Sequence, residues 1–111
     1  MRTLRDVQQE IDQLIREEWH SDYWQPLSSL ARLTEEVGEL ARELNHRYGE
    51  KPKKVSEGEA NLAVEIGDVL YILASLANSV NVDLDAAFDE VMAKYRTRDK
   101  GRWAKKETDM S

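Results

Sequence analysis

Apolar positions recur at helical spacing along the whole chain, and no stretch alternates convincingly at period two. A first helix is predicted from about Thr3 to His20, with Leu4, Val7, Ile11, Leu14 and Ile15 facing inward. Ser21-Asp22 and Gln25-Pro26 break it, proline being best tolerated in the first turn of the helix that follows. The second helix then runs to about Tyr48. Leu30, Leu33, Val37, Leu40 and Leu44 give it a regular apolar stripe expected to face the core. Gly49-Glu50-Lys51-Pro52 ends it. The third helix opens with a capping box, Ser56-x-x-Glu59, and carries Leu62, Ile66, Val69, Leu73, Leu76 and Val80. Leu70, Tyr71 and Ile72 widen that stripe, which predicts the most buried helix of the set. Asn81 ends it, Asp83 can cap a fourth helix, and Leu84, Ala87, Phe88, Val91 and Tyr95 are expected inward. Short connections favour antiparallel neighbours, so the predicted fold is all-α, a four-helix bundle. Residues 1–103 are expected to form one helical domain and residues 104–111 a flexible polar tail.

Two acidic phrases interrupt this pattern, 29 positions apart: Glu35-Glu36-Val37-Gly38-Glu39 and Glu65-Ile66-Gly67-Asp68. Each sets two carboxylates at i and i+3, on one side of a helix. Isolated acids on helices are usually solvated, and Glu is a good helix former. Here Glu65 and Asp68 flank Ile66 and Val69 and have no basic residue within helical reach. Indeed no Lys, Arg or His occurs from Val55 to Ala93, against eight acids. Arg32 and Arg42 can neutralise part of the other triplet. Gly38 and Gly67 each cost roughly 1 kcal/mol against alanine inside a helix, which raises the expectation of a close backbone approach at both.

Composition narrows the function. A chain of 111 residues makes one domain, large enough for a single modest core to which a partner chain could add buried surface. The longest apolar run, Val69 to Val80, is short of a membrane span and is interrupted by Ser75, Asn78 and Ser79. A charged N-terminus, helical in pattern from Arg2, predicts no signal peptide. There is no cysteine, hence no disulfide or thiolate site, and a cytoplasmic protein is expected. Net charge -6 disfavours nucleic acid as a partner. The segment from Lys94 to Lys106 nevertheless carries seven basic residues and one acid. It reads either as a solvated helix end complementing the dipole or as a grip on an anion.

Converging carboxylates without thiolate or imidazole specify a hard cation, Mg²⁺ first and Mn²⁺ as its substitute. Magnesium held this way commonly serves a phosphate-bearing substrate, which the basic segment could hold at its other end. The residues Glu35-Glu36-x-x-Glu39 followed by Glu65-x-x-Asp68 resemble the EExxE…ExxD signature of the all-α nucleotide pyrophosphohydrolases. Within that superfamily, roughly Trp24 to Trp103 is similar to short, single-domain MazG-like proteins. The resemblance implies hydrolysis of a nucleoside triphosphate to the monophosphate and pyrophosphate with Mg²⁺, in a homodimer or homotetramer. By motif position it implies Glu36, Glu39, Glu65 and Asp68 as metal ligands. Glu35 would then be a second-metal ligand or the base that orients the attacking water. It implies Lys94 and Arg98 as phosphate contacts, and Trp19, Trp24 and Gln25, ahead of the second helix, as base-pocket residues.

Two other readings compete. Glu17-x-x-His20 and Glu43-x-x-His46 fit the motif of di-iron bundles. However, both sit at helix C-terminal ends, which in an antiparallel pair lie about 30 Å apart. A non-catalytic oligomerisation or regulatory module explains the apolar stripes but not the cation-free acidic pair. Tyr71 and Phe88 read as core, and His20 and His46 as helix-terminal charges.

Overall fold

The computed structural model describes residues 1–49 and 62–98. Among these the chain is helical, without a strand: α1 (Leu4–Asp12), a π-helical continuation (Gln13–Glu18), α2 (Pro26–Tyr48), α3 (Leu62–Ser79) and α4 (Leu84–Arg98). The capping box at Ser56 and Glu59, the tail 104–111 and the basic residues from Lys100 onward lie outside the described residues.

Local chemistry sets the ends of these helices. Thr3 Oγ1 accepts from the Asp6 N–H at 3.0 Å and Asp6 accepts from the Thr3 N–H at 2.9 Å, a capping box. A second carboxylate, Asp85 at the start of α4, accepts from the N–H groups of Leu4 and Arg5 at 3.3 and 3.1 Å. Negative charge there complements the α1 dipole and fastens α4 to α1. The predicted extent of the first helix is met, but its last turns are π-helical, with the Trp19 N–H donating to Leu14 O at 2.9 Å. His20 follows with φ 49°. Pro26 stands in the first turn of α2, where its missing N–H costs nothing. α3 closes in a Schellman motif. Asn81 is left-handed (φ 59°), Val82 N–H donates to Ala77 O at 2.9 Å, and Asn81 N–H donates to Asn78 O at 3.2 Å. Asp83 caps α4, its Oδ1 accepting from the Asp85 N–H at 3.0 Å.

α3 lies against both α2 and α1, and α4 packs on α1. The buried apolar cluster is small: Ile11, Ile15 and Ala74, with Val7, Tyr23, Tyr71 and Leu84 packed against it. Several inward expectations are corrected here. α3 fully buries only Ala74 and Ala77, while Ile66, Leu70, Leu73 and Val80 stay exposed. On α2 the buried residues are Ser29, Glu36 and Glu43. Leu30, Val37 and Leu44 keep 50%, 47% and 40% of their surface exposed. The two sets are one residue out of step, about 100° apart around the helix. On α4, Leu84 and Ala87 are half-buried but Phe88, Val91 and Tyr95 face outward. The physical reason is common to all three: each helix carries a wider apolar arc than its neighbours in one chain can cover.

α3 also revises the estimate of apolar length. Leu62–Ser79 has 18 residues at mean hydropathy 1.3, enough by length and composition alone to cross a membrane. It carries Glu65 and Asp68 in its first two turns, and these carboxylates approach α2.

Candidate metal centre and adjoining cavity

Because Ser29, Glu36 and Glu43 recur at seven-residue intervals, they form one line along α2. Glu36 is only 3% exposed. From the first turns of α3, Glu65 and Asp68 reach it, and one carboxylate oxygen from each of the three lies within 4.8 Å of the others. Arg32, one turn back on α2, donates to Glu36 Oε1 at 2.7 Å and stands 3.6 Å from Glu35. That single cation does not satisfy the cluster. Glu36 Oε2 and Glu65 Oε2 are both buried without a hydrogen-bond partner. Burial pushes the Glu36 carboxyl up from its ordinary value. Arg32 opposes that shift, and the Glu39 and Asp68 carboxylates add to it.

Two orphaned, buried carboxylate oxygens in a cluster of three acids cost several kcal/mol unless a cation joins them. The donor set is all oxygen, which suits a hard divalent ion. These residues therefore fit a bound metal. Of the predicted ligands, Glu36, Glu65 and Asp68 converge. Glu39 is exposed but near enough to act on Glu36 through a hydrogen bond and its charge. Glu35 has a side chain 66% exposed, at the rim beside Arg32. Within one chain Gly38 and Gly67 do not mark a close approach, which corrects that expectation for α2 against α3. A methyl group at either would meet nothing within 4 Å beyond its own helix. Each glycine is two residues from an inward carboxylate, hence about 200° around the helix and on the opposite face.

Next to the cluster lies a cavity of about 390 Å³, lined by Ile15, Trp19, Ser21, Asp22, Tyr23, Trp24, Ser29, Arg32, Tyr71, Ile72 and Ser75. Arg32 belongs to both places, since it lines the cavity and pairs with Glu36. Four residues at 1.5 Å each place cavity and cluster about 6 Å apart along α2. Trp19 and Trp24 stand in this wall. Gln25, the N-cap of α2, is not among the lining residues. The reading of Tyr71 as core holds in part: it packs on the apolar cluster and also lines the cavity. Sequence reasoning missed Tyr23, Ser29, Ile72 and Ser75. Ser29 alone left a trace, as a polar residue seven positions before Glu36.

Lys94 and Arg98 lie on the last turns of α4, 5.1 and 5.8 Å from the centre of the Tyr95 ring, in cation–π contact with it.

The helical fold is that of the all-α nucleotide pyrophosphohydrolases, and its carboxylates converge beside an aromatic cavity. Residues 25–103 match the MazG nucleotide pyrophosphohydrolase domain, and the chain belongs to that family. It is 54% identical over 106 residues to protein YpjD of Bacillus subtilis (strain 168), covering 96% of this chain and 95% of that one. Its fold is similar to the crystal structure of a candidate pyrophosphatase, YpjD from Bacillus subtilis, with TM-score 0.79 and 50% identity over 89% of this chain and 98% of that one. It is also similar to the Bacillus-conserved MazG protein, a nucleotide pyrophosphohydrolase, with TM-score 0.73 and 45% identity over 90% and 96% of the two chains. The family makes this protein a nucleotide pyrophosphohydrolase, and the acidic cluster supplies a place for a metal.

Proposed function

We propose that the protein hydrolyses nucleoside triphosphates, ribo or deoxy, to the monophosphate and pyrophosphate in a Mg²⁺-dependent reaction. Clearing unwanted nucleotides from the cytoplasmic pool is the role this chemistry suits. The observation that carries the reading is the pair of buried, unpartnered oxygens on Glu36 and Glu65, set one helical turn from an aromatic cavity. Glu36, Glu39, Glu65 and Asp68 would hold Mg²⁺, or Mn²⁺ in its place. The ion, when bound, neutralises phosphate charge and activates water for attack on a phosphoanhydride.

The chain's own residues do the rest. Trp19 and Trp24 flank the base and leave the phosphates directed toward Arg32 and the carboxylates. Glu35, exposed at the rim, orients the water and accepts its proton. Lys94 and Arg98 stabilise charge on the departing pyrophosphate. Leu30, Val37 and Leu44 on α2 and Ile66, Leu70, Leu73 and Val80 on α3 stay exposed, and clustered exposed apolar side chains are a mark of association surfaces. A second copy of the chain covers them, in a homodimer or homotetramer. Neither nucleic acid nor a membrane is a partner in this reading.

The test is a panel of canonical and damaged NTPs and dNTPs with Mg²⁺, scoring pyrophosphate against orthophosphate. Equal amounts of monophosphate and pyrophosphate are expected. Release of orthophosphate alone would contradict the reaction. The absence of turnover, together with a melting temperature indifferent to Mg²⁺, would favour a non-catalytic oligomeric module, for which the uncovered apolar rows are the supporting feature.

A further inference from the structure

The cavity wall contains a segment, residues 19–25, that belongs to no regular element. Its ends are fixed by the backbone, through Ser21 N–H to Ile15 O at 2.8 Å and Ser29 N–H to Gln25 O at 3.0 Å. Two side chains tie its middle to the helices. Asp22 pairs with Arg16 at 3.6 Å, but the Asp22 side chain is 85% exposed, so solvent screens that contact. Tyr23 makes the stronger tie. Its hydroxyl donates to Asp12 Oδ1 at 2.5 Å and accepts from Asn78 Nδ2 at 3.0 Å.

Both partners of that hydroxyl are themselves held. Asn78 Nδ2 also donates to Gln8 O at 2.9 Å, and Asn78 Oδ1 accepts from Gln8 Nε2 at 2.9 Å. Gln8, nearly buried, donates again to Val82 O at 2.7 Å and accepts from the Leu84 N–H at 2.9 Å. Arg16 Nε stands 3.2 Å from the same Asp12 Oδ1 and holds that carboxylate oxygen in place. Tyr23 therefore sits in a hydrogen-bonded frame drawn from α1, α3 and the α3–α4 turn, with neither acceptor nor donor free to rotate away. Its ring packs on the Ile11, Ile15 and Ala74 cluster and also lines the cavity. Trp24 is the next residue along.

We propose that Tyr23 is a positioning residue for nucleoside recognition: clamped between Asp12 and Asn78, its hydroxyl holds the 19–25 segment so that Trp19 and Trp24 are in place before substrate arrives. This rests on the reading that the cavity takes the nucleoside. Burial and the Asp12 contact push the Tyr23 phenol up to about 12, which keeps the donor proton on the ring throughout the neutral range. The frame stands apart from the carboxylate cluster, so loosening it should affect the nucleoside end of the substrate and spare the phosphate end. Preorganisation of this kind acts on affinity by removing an ordering cost from binding.

The test compares wild type, Tyr23→Phe, Asp12→Asn and Trp24→Ala in steady-state hydrolysis of the best triphosphate from the panel. Inhibition by a nucleoside 5′-monophosphate and by inorganic pyrophosphate is measured alongside. For Tyr23→Phe, KM and the monophosphate inhibition constant should each rise about tenfold, the loss of one hydrogen bond to a charged group. The pyrophosphate inhibition constant should stay within about twofold, and the loss should fall on KM rather than kcat. Asp12→Asn keeps an acceptor oxygen and should show a smaller shift of the same kind, which also serves if Tyr23→Phe folds poorly. Equal losses in KM, kcat and pyrophosphate affinity would mean a purely structural role and overturn the proposal. So would an unchanged KM for Tyr23→Phe when Trp24→Ala raises it. If Trp24→Ala also leaves KM unchanged, the cavity is not the nucleoside site, and the underlying reading fails with the proposal.

Discussion

Two faces of α2, a single residue out of phase, carry opposite chemistry to what their composition would ordinarily assign. The inner face presents Ser29, Glu36 and Glu43 to the fold, and the outer face presents Leu30, Val37 and Leu44 to solvent. In a self-sufficient domain the leucines would be inside, because each buried Leu or Val contributes about 1.5–3 kcal/mol. A chain that instead buries carboxylates has traded stability for a charged seam. The trade is sustainable only if something compensates on each face. In the proposed reading a cation would compensate the inner face and a second copy of the chain the outer one. α3 repeats the arrangement, with Glu65 and Asp68 toward the seam and Ile66, Leu70 and Leu73 away from it.

The sharpest way to break this contrast is on the inner face. Glu65→Gln and Asp68→Asn keep shape and remove charge. Metal-assisted catalysis supplies several kcal/mol of transition-state stabilisation, so turnover should fall roughly 1,000-fold or more. Helical content should be unchanged by circular dichroism, and the metal-free protein should melt no lower than wild type. The reason is that buried like charges oppose folding until a cation joins them. Near-normal activity in either variant would remove the metal assignment.

A charge on the outer face should act on assembly first. Val37→Glu places a carboxylate in the middle of the exposed α2 row, about 100° around the helix from Glu36. If a second copy covers that row, burying an unpaired charge costs several kcal/mol. Sedimentation equilibrium should then show the mass of one 12.8 kDa chain where wild type shows a multiple of it. An unchanged assembly would place the interface elsewhere, for instance on the Phe88, Val91 and Tyr95 face of α4.

How much of this was legible in the sequence follows the same division. The helices and their ends could be read because their signals are local. Pro26 starts α2, Asn81 takes the left-handed position after α3, and Asp83 caps α4. The carboxylate seam was legible because Glu65 and Asp68 had apolar neighbours and no nearby cation. Which face of α2 meets α3 was not. Hydrophobic periodicity marks the surface available for cover, and the helices of a single chain cover only part of it. The cavity wall was out of reach for another reason: Tyr23 and Asn78 are 55 residues apart, Gln8 and Asn78 are 70, and no periodicity links them. The π-helical turns at Gln13–Glu18 that lead into this wall likewise have no marker in residue type.

The glycines give the smallest effect and the finest discrimination. Gly38 and Gly67 lie on the outer side of their helices, and within one chain a methyl group at either meets open space. For an isolated chain, Gly38→Ala and Gly67→Ala should each stabilise by up to roughly 1 kcal/mol, since alanine removes backbone freedom from the unfolded state and is the best helix former. If a partner helix crosses at either glycine, the same substitution intrudes on a packed interface and destabilises by about 1–3 kcal/mol. Thermal melts of the two variants, run above and below the concentration at which the protein dissociates, separate the cases. A gain at low concentration that turns to a loss at high concentration would place that glycine in the subunit contact. A gain at both would place the subunit contact away from that glycine, and the missing side chain there would then have no packing reason behind it.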